Sequence, residues 1–315
     1  MLRKAIIISL SGYHLTKKEM NLFKKNIPWG VILFKRNVNN YNQLKKLITQ
    51  IRKVTKDKNY PIMIDEEGGT VVRLNNIIKN DLFSQKYFGK VYEFSNVTGV
   101  SLYKYYNNQI CGILKNLGIN INTVPVLDKL SKETNAFLKR RIYSSKIKTI
   151  KNLSKVCIEI YNKNKILSVI KHIPGHGLAK SDSHFRLPVI YKSYKNLINN
   201  DFKCFKKTKS HLAMTAHVLF KKIDSDNCVT HSKLIINKII RKKIGFKGIL
   251  ISDDISMKAL KSGILNNALK ALSAGCNLTL YCKGNINESL KLLNKMPYID
   301  KFTQKKTSEI YKFLS

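Results

Sequence analysis

The chain has 315 residues, 43% of them apolar and including 13 Phe and 15 Tyr, which excludes a disordered or fibrous protein and allows a large core. Its 58 Lys and Arg against 19 Asp and Glu give a formal charge of +39, a balance that first points to nucleic acid or an anionic membrane surface. Only eight of the 58 are Arg and the lysines are scattered rather than striped, so the excess reads as a solvated surface and no nucleic-acid partner is expected.

A strand is predicted over 5–10. With Met1-Leu-Arg-Lys before it, this segment superficially resembles a secretory signal. The apolar run is too short and no A-x-A-like site follows, so a cytoplasmic protein is expected. A helix over 16–25 opens on Thr16 and Glu19, a capping box. There follow a strand over 31–34, a helix over 42–54, a strand over 61–65, a helix over 101–117 closed by Gly118, and a strand over 119–126. The second half alternates in the same way, with helices over 148–162, 194–207, 232–243, 265–274 (closed by Gly275) and 287–295. Its strands fall over 166–172, 212–217, 248–252 and 278–282.

These strands are rich in Ile and Val and apolar at nearly every position, as expected when both faces are buried. Eight β–α units in about 300 residues predict an α/β fold, a (β/α)8 TIM barrel forming one domain over 1–315. An open doubly wound sheet comes second, because no Gly-rich phosphate loop follows an early strand. No segment approaches the roughly 18 apolar residues of a membrane span. Six cysteines without a CxxC pair read as small buried hydrophobes in a reducing compartment.

A barrel places its active site at the carboxyl ends of its strands. The third strand runs into Asp65-Glu-Glu-Gly-Gly69 with Arg73 soon after, and the fourth into Asp128. The fifth ends in Lys171-His172, followed by His176, Asp182 and His184; the sixth ends in His217 and the seventh in Asp253-Asp254. Polar residues commonly end strands as caps and turn formers, but five consecutive strands ending this way point to an enzyme. His172, His176 and His184 lie in a segment broken by Pro174, Gly175 and Gly177 and cannot share a helix face, so no metal site is expected. Of Asp253 and Asp254, one is expected to face the barrel mouth and the other to cap aside. Asp182 and His184 are spaced for one to orient the other in a loop, although such a pair is often ordinary surface. Glu66 and Glu67 are ambiguous, and Gly68-Gly69 suggests close approach to a ligand or a tight turn.

Over nearly its whole length the chain resembles the family 3 glycoside hydrolases, in particular their single-domain bacterial β-N-acetylglucosaminidases of peptidoglycan recycling. The resemblance rests on Gly30-Val-Ile-Leu-Phe-Lys-Arg-Asn37, Ile64-Asp-Glu-Glu-Gly-Gly69 with Arg73, and Lys171-His-Ile-Pro-Gly-His-Gly177. It continues in Asp182-Ser-His184, Met214-Thr-Ala-His217 and Gly245-Phe-Lys-Gly-Ile-Leu-Ile-Ser-Asp-Asp-Ile-Ser-Met257. It implies a nucleophile at Asp253 and a general acid/base at His184 oriented by Asp182. Sugar contacts fall on Asp65, Arg73, Lys171 and His172, with Met257 near the sugar. An Arg that the family carries after the fourth strand falls on Arg141, with Arg140 a one-residue alternative and the usual Gly-rich lead-in absent. Thr70 and Asn277 also depart from the family pattern, where Arg and Asp are common. The resemblance further implies a monomer acting on GlcNAc-containing muropeptide fragments.

Retaining hydrolysis needs a carboxylate to attack C1 and a proton donor at the leaving oxygen. Imidazole titrates near neutrality, so His184 suits the second role, and neither cofactor nor metal is needed. Two other readings stay open. One is a phosphorylase sharing the covalent intermediate, since a His donor does not repel phosphate. The other is a basic nucleic-acid-binding protein on an inactive barrel.

Overall fold

The computed structural model describes residues 2–315. Eight parallel strands close on themselves: β1 (Lys4–Ser9), β2 (Pro28–Leu33), β3 (Ile62–Ile64), β4 (Ile121–Asn122), β5 (Leu167–Ile173), β6 (Leu212–Thr215), β7 (Ile249–Asp254) and β8 (Leu278–Tyr281). Each strand pairs with its chain neighbour, and β8 pairs with β1 in the register Ile7↔Leu280. The fold is a TIM barrel.

Side chains alternate across each strand. In β1, Ala5 and Ile7 point into the barrel lumen, where they meet Ile32, Met63, Val169, Met214, Ile251 and Leu280. Ile6 and Ile8 point outward into the layer of helices. Both faces are therefore apolar, which is why the strands read as unbroken hydrophobic runs. The Thr16–Glu19 capping box opens the first helix, Lys17–Lys25, and Gly118 and Gly275 close theirs in the left-handed region.

Several elements differ from expectation. The fourth strand is only Ile121–Asn122, because Pro125 has no N–H to give and the Val126 N–H is taken by Gln85 Oε1 at 3.0 Å. The helix expected over 194–207 splits into Tyr194–Asn199 and a 3₁₀ turn, Asp201–Phe205, at a break on Asn200. The segment expected as an α-helix over 232–243 is a π-helix, Ile235–Ile244. Three further helices are Gln85–Phe94, Ala136–Lys139 and Lys301–Leu314. The last seals the amino-terminal end of the barrel. Its Ile310 joins the lumen cluster, and Thr307 Oγ1 accepts from the Trp29 indole at 2.9 Å. Among the described residues no helix is long and apolar enough to cross a membrane.

Candidate active site

The carboxyl ends of the strands surround an open pocket. Asp65, Arg73, Arg141, Lys171, His172, Asp182, His184, Asp253 and Met257 all line it. Arg140 does not; it is exposed at the end of the Ala136–Lys139 helix, so of the two candidates Arg141 is the one in the pocket.

The floor is a charge lattice. Lys171 Nζ forms an ion pair with Glu67 Oε1 at 2.6 Å and donates to Asp65 Oδ1 at 3.2 Å and to Thr123 Oγ1 at 2.7 Å. Arg141 grips Glu67 with two hydrogen bonds of 2.9 and 2.8 Å. Arg73 approaches Asp65 at 3.5 Å, and Thr123 also donates to Asp65. Burial pushes the Asp65 carboxyl up, but Lys171, then Arg73 and Thr123, hold it far below the ordinary carboxylate range. Glu67 is likewise held low, with Arg141 and Lys171 outweighing its burial. Glu67 is the site residue that the sequence reading left unresolved between two adjacent acids. Its neighbour turns away: Glu66 accepts from the backbone N–H of Arg73 (2.7 Å) and Leu74 (3.0 Å) and from Asn80 Nδ2 (2.8 Å). Glu66 thereby shapes the loop that presents Arg73. Gly68 and Gly69 turn that loop at φ 81° and 66°, and a Cβ on Gly68 would lie 2.2 Å from the Phe83 carbonyl oxygen. The glycine pair serves backbone packing.

Asp128 is fully buried below the rim. Its carboxylate bonds His172 Nδ1 at 2.7 Å and accepts from the His176 N–H at 2.6 Å, which fixes the His172 ring with Nε2 toward Arg141 at 3.5 Å. Burial opposes ionisation of Asp128, but His172 and His176 bring its carboxyl below the ordinary value.

β7 delivers Asp253 to the opposite wall. Asp253 Oδ1 accepts from the Asp254 N–H at 2.8 Å. Burial raises its carboxyl, yet His217, His172, that N–H and His184 together hold it below the ordinary range. Asp254 turns to the following loop, accepting from the Ser256 N–H (3.0 Å), Ser256 Oγ (2.7 Å) and the Cys282 N–H (3.2 Å). Behind them His217 is buried between Thr230 Oγ1 (2.7 Å) and the Asp254 carbonyl (3.0 Å), a buttress that the sequence reading placed at a strand end without a role.

The loop after β5 carries the remaining pair. His184 Nδ1 meets Asp182 Oδ1 at 2.7 Å, and the His184 N–H donates to the same oxygen at 2.9 Å. The imidazole is 54% exposed and Asp182 24%, so the ring stands at the mouth with Nε2 unclaimed. The loop is seated on the segment after β4: Thr134 Oγ1 donates to the Gly177 carbonyl and the Asn135 N–H to that of Ala179 at 3.1 Å. At Gly177 a Cβ would fall 1.9 Å from the Lys129 carbonyl oxygen, so only glycine fits.

The pocket therefore joins a lattice of fixed charges suited to sugar hydroxyls, a carboxylate held ionised, and an imidazole backed by a carboxylate. The glycosyl hydrolase family 3 N-terminal domain matches residues 6–307. A β-hexosaminidase of Haemophilus influenzae is 32% identical over 307 residues, covering 93% of this chain and 85% of its own. One from Psychromonas ingrahamii is 30% identical over 286 residues, covering 89% and 82%. Among solved structures, NagZ from Neisseria gonorrhoeae in complex with N-trifluoroacetyl-D-glucosamine superposes with a TM-score of 0.87 at 25% identity, covering 100% of this chain and 90% of that one. The family match runs from β1 through β8 and takes in every strand end that builds the pocket, and the chain belongs to glycosyl hydrolase family 3.

Proposed function

We propose that this protein is an exo-acting, retaining β-N-acetylglucosaminidase that removes terminal GlcNAc from peptidoglycan fragments. Asp253 attacks C1 of the sugar as the C1–O bond to the aglycone breaks, forming a glycosyl ester, and His184 gives the leaving oxygen its proton. In the second step His184 takes a proton from water, which attacks C1 and releases Asp253. Asp182 occupies Nδ1 of His184, leaving Nε2 for both transfers and stabilising the imidazolium. Asp65, Arg73, Arg141, Lys171 and His172 bind sugar hydroxyls, with Met257 beside the ring.

The observation that carries this reading is one pocket holding both a carboxylate kept ionised, Asp253, and a half-exposed imidazole backed by Asp182. The other carboxylates in and around the pocket are taken: Glu66 is bound to its own loop, Asp254 to the Ser256 turn, Asp65 and Glu67 to cations and Asp128 to two histidines. The named activities of the relatives support the same substrate, and the peptidoglycan fragment follows from the family resemblance. Six unpaired cysteines suit a cytoplasmic setting, and a pocket built from one chain suits a monomer.

The test is an assay of a chromogenic β-GlcNAc glycoside and of a GlcNAc-terminated muropeptide, each with and without inorganic phosphate. Free GlcNAc, released first as the β-anomer in both conditions, is expected. GlcNAc 1-phosphate as the product would replace hydrolysis with phosphorolysis, and no release from either substrate would overturn the reading.

A further inference from the structure

Phe137 has no part in the chemistry above, yet it touches two residues that do. Its ring lies in the pocket wall, 38% exposed. It meets the His184 imidazole at a centroid distance of 5.7 Å with the planes at 88°. The guanidinium carbon of Arg141 sits 5.1 Å from its centroid.

His184 needs such a contact. Its hydrogen bonds run to Asp182, two residues away on the same turn, so they fix the ring relative to its own loop and not relative to the barrel. The loop's hydrogen bonds to the segment after β4 end at Ala179. From there to His184 the ties among the described residues are Ser183 Oγ to Nε2 of the buried His176 at 3.3 Å and the turn around Asp182, neither of which holds the imidazole itself to the barrel; the next cross-link comes at Pro188, whose carbonyl accepts from the Leu219 N–H at 2.9 Å. Phe137, on the segment after β4, is a group outside the loop that meets the imidazole itself. It has a rigid backing, because Arg141 is itself pinned by two bonds to Glu67.

We propose that Phe137 is a positioning residue for the proton donor, packing His184 over the pocket against the fixed Glu67–Arg141 pair. The inference rests on His184 being that donor. An edge-to-face pair shifts a conformational balance by about two- to tenfold, so loss of the ring leaves His184 aligned for only a fraction of the time. The loss falls on steps that need the proton. Sugar binding is spared, because Glu67 still holds Arg141.

The experiment compares Phe137→Ala, Phe137→Tyr, His184→Ala and the Phe137→Ala/His184→Ala double variant on an alkyl and an activated nitrophenyl β-GlcNAc glycoside. Phe137→Ala is expected to lower kcat/KM about tenfold on the alkyl glycoside and less than about threefold on the activated one, whose leaving group needs little protonation. Inhibition by GlcNAc stays near wild type, and Phe137→Tyr restores activity. In the His184→Ala background the Phe137 change adds no further loss, since there is no donor left to position. Equal losses on both substrates with a lowered Tm would make Phe137 structural. A raised KM confined to the aryl glycoside would make it an aglycone platform, and additive losses would uncouple it from His184. Each of these overturns the proposal. If His184→Ala is itself indifferent to the leaving group, the donor assignment fails and this inference with it; if His184→Ala is sensitive and Phe137→Ala is not, only the role of Phe137 fails.

Discussion

Replacing Glu67 with Gln removes one of two carboxylates from a buried lattice that sets Asp65 and Glu67 against Arg73, Arg141 and Lys171. Lys171 keeps Asp65 and Thr123. Arg141, whose side chain is 9% exposed, keeps no hydrogen-bonded anion, only the more distant charges of Asp65 and Asp128, with His172 Nε2 at 3.5 Å and the Phe137 face in contact. A Gln oxygen accepts one of the two lost Arg141 bonds, while its NH₂ group faces a cation. Removing one partner of a buried pair costs about 3–5 kcal/mol, and the surviving acceptor places this variant near the lower end, about 3 kcal/mol. At about 2 °C per kcal/mol for a chain of this size, Tm falls by about 6 °C. Calorimetry at pH 7 on Glu67→Gln, Arg141→Met and the double variant measures this. The double variant should be more stable than the sum of the single losses by at least about 1 kcal/mol, because removing Arg141 relieves the unpaired charge. A Glu67→Gln Tm within about 1 °C of wild type, with additive behaviour in the double variant, would refute the reasoning.

His176 is held neutral: burial, then His172, pushes its imidazole down from 6.5 to about 4. The unfolded chain therefore takes up the proton first, so the stability from this group is whole above pH 6.5 and is lost as pH falls toward about 4, by about 3 kcal/mol. His176→Gln should flatten the urea-midpoint profile across that window, and an unchanged slope contradicts the assignment. His184→Ala should lower kcat/KM about 10²- to 10⁴-fold on poor leaving groups and far less on an activated phenol, where kcat is then limited by deglycosylation. Azide, which needs no base, should then restore turnover as β-glycosyl azide, and Asp182→Ala should be milder; equal losses without rescue would make His184 structural.

All eight barrel strands were legible, because parallel strands buried on both faces leave continuous Ile and Val runs. The helix Gln85–Phe94 was not: it is aromatic-rich and carries Gly89, residue types that weaken a helical reading. The glycine is required from outside the helix, since a Cβ there would lie 1.9 Å from the Tyr143 carbonyl oxygen. The helix Lys301–Leu314 was missed because its buried positions are Thr303, Thr307 and Ile310, a weak apolar stripe whose partner is the barrel floor. In the pocket, the residues on strand ends were readable from position. What separates Glu66 from Glu67 is the direction of each side chain, into the Arg73 loop or into the Arg141–Lys171 pair, and adjacent letters carry no sign of it. Phe137 was invisible for a similar reason, because its value depends on a loop more than forty residues away.

The central claim is that Asp253 becomes covalently bonded to the sugar. A 5-fluoro GlcNAc derivative with an activated leaving group slows release of the glycosyl ester, so the intermediate accumulates. Tandem mass spectrometry of the digested, inactivated enzyme should place one sugar on the Asp253 side chain, with Asp253→Asn unlabelled and inactive yet folded. A sugar on Asp254, Glu67 or Asp128, or near wild-type turnover by Asp253→Asn, would contradict the account.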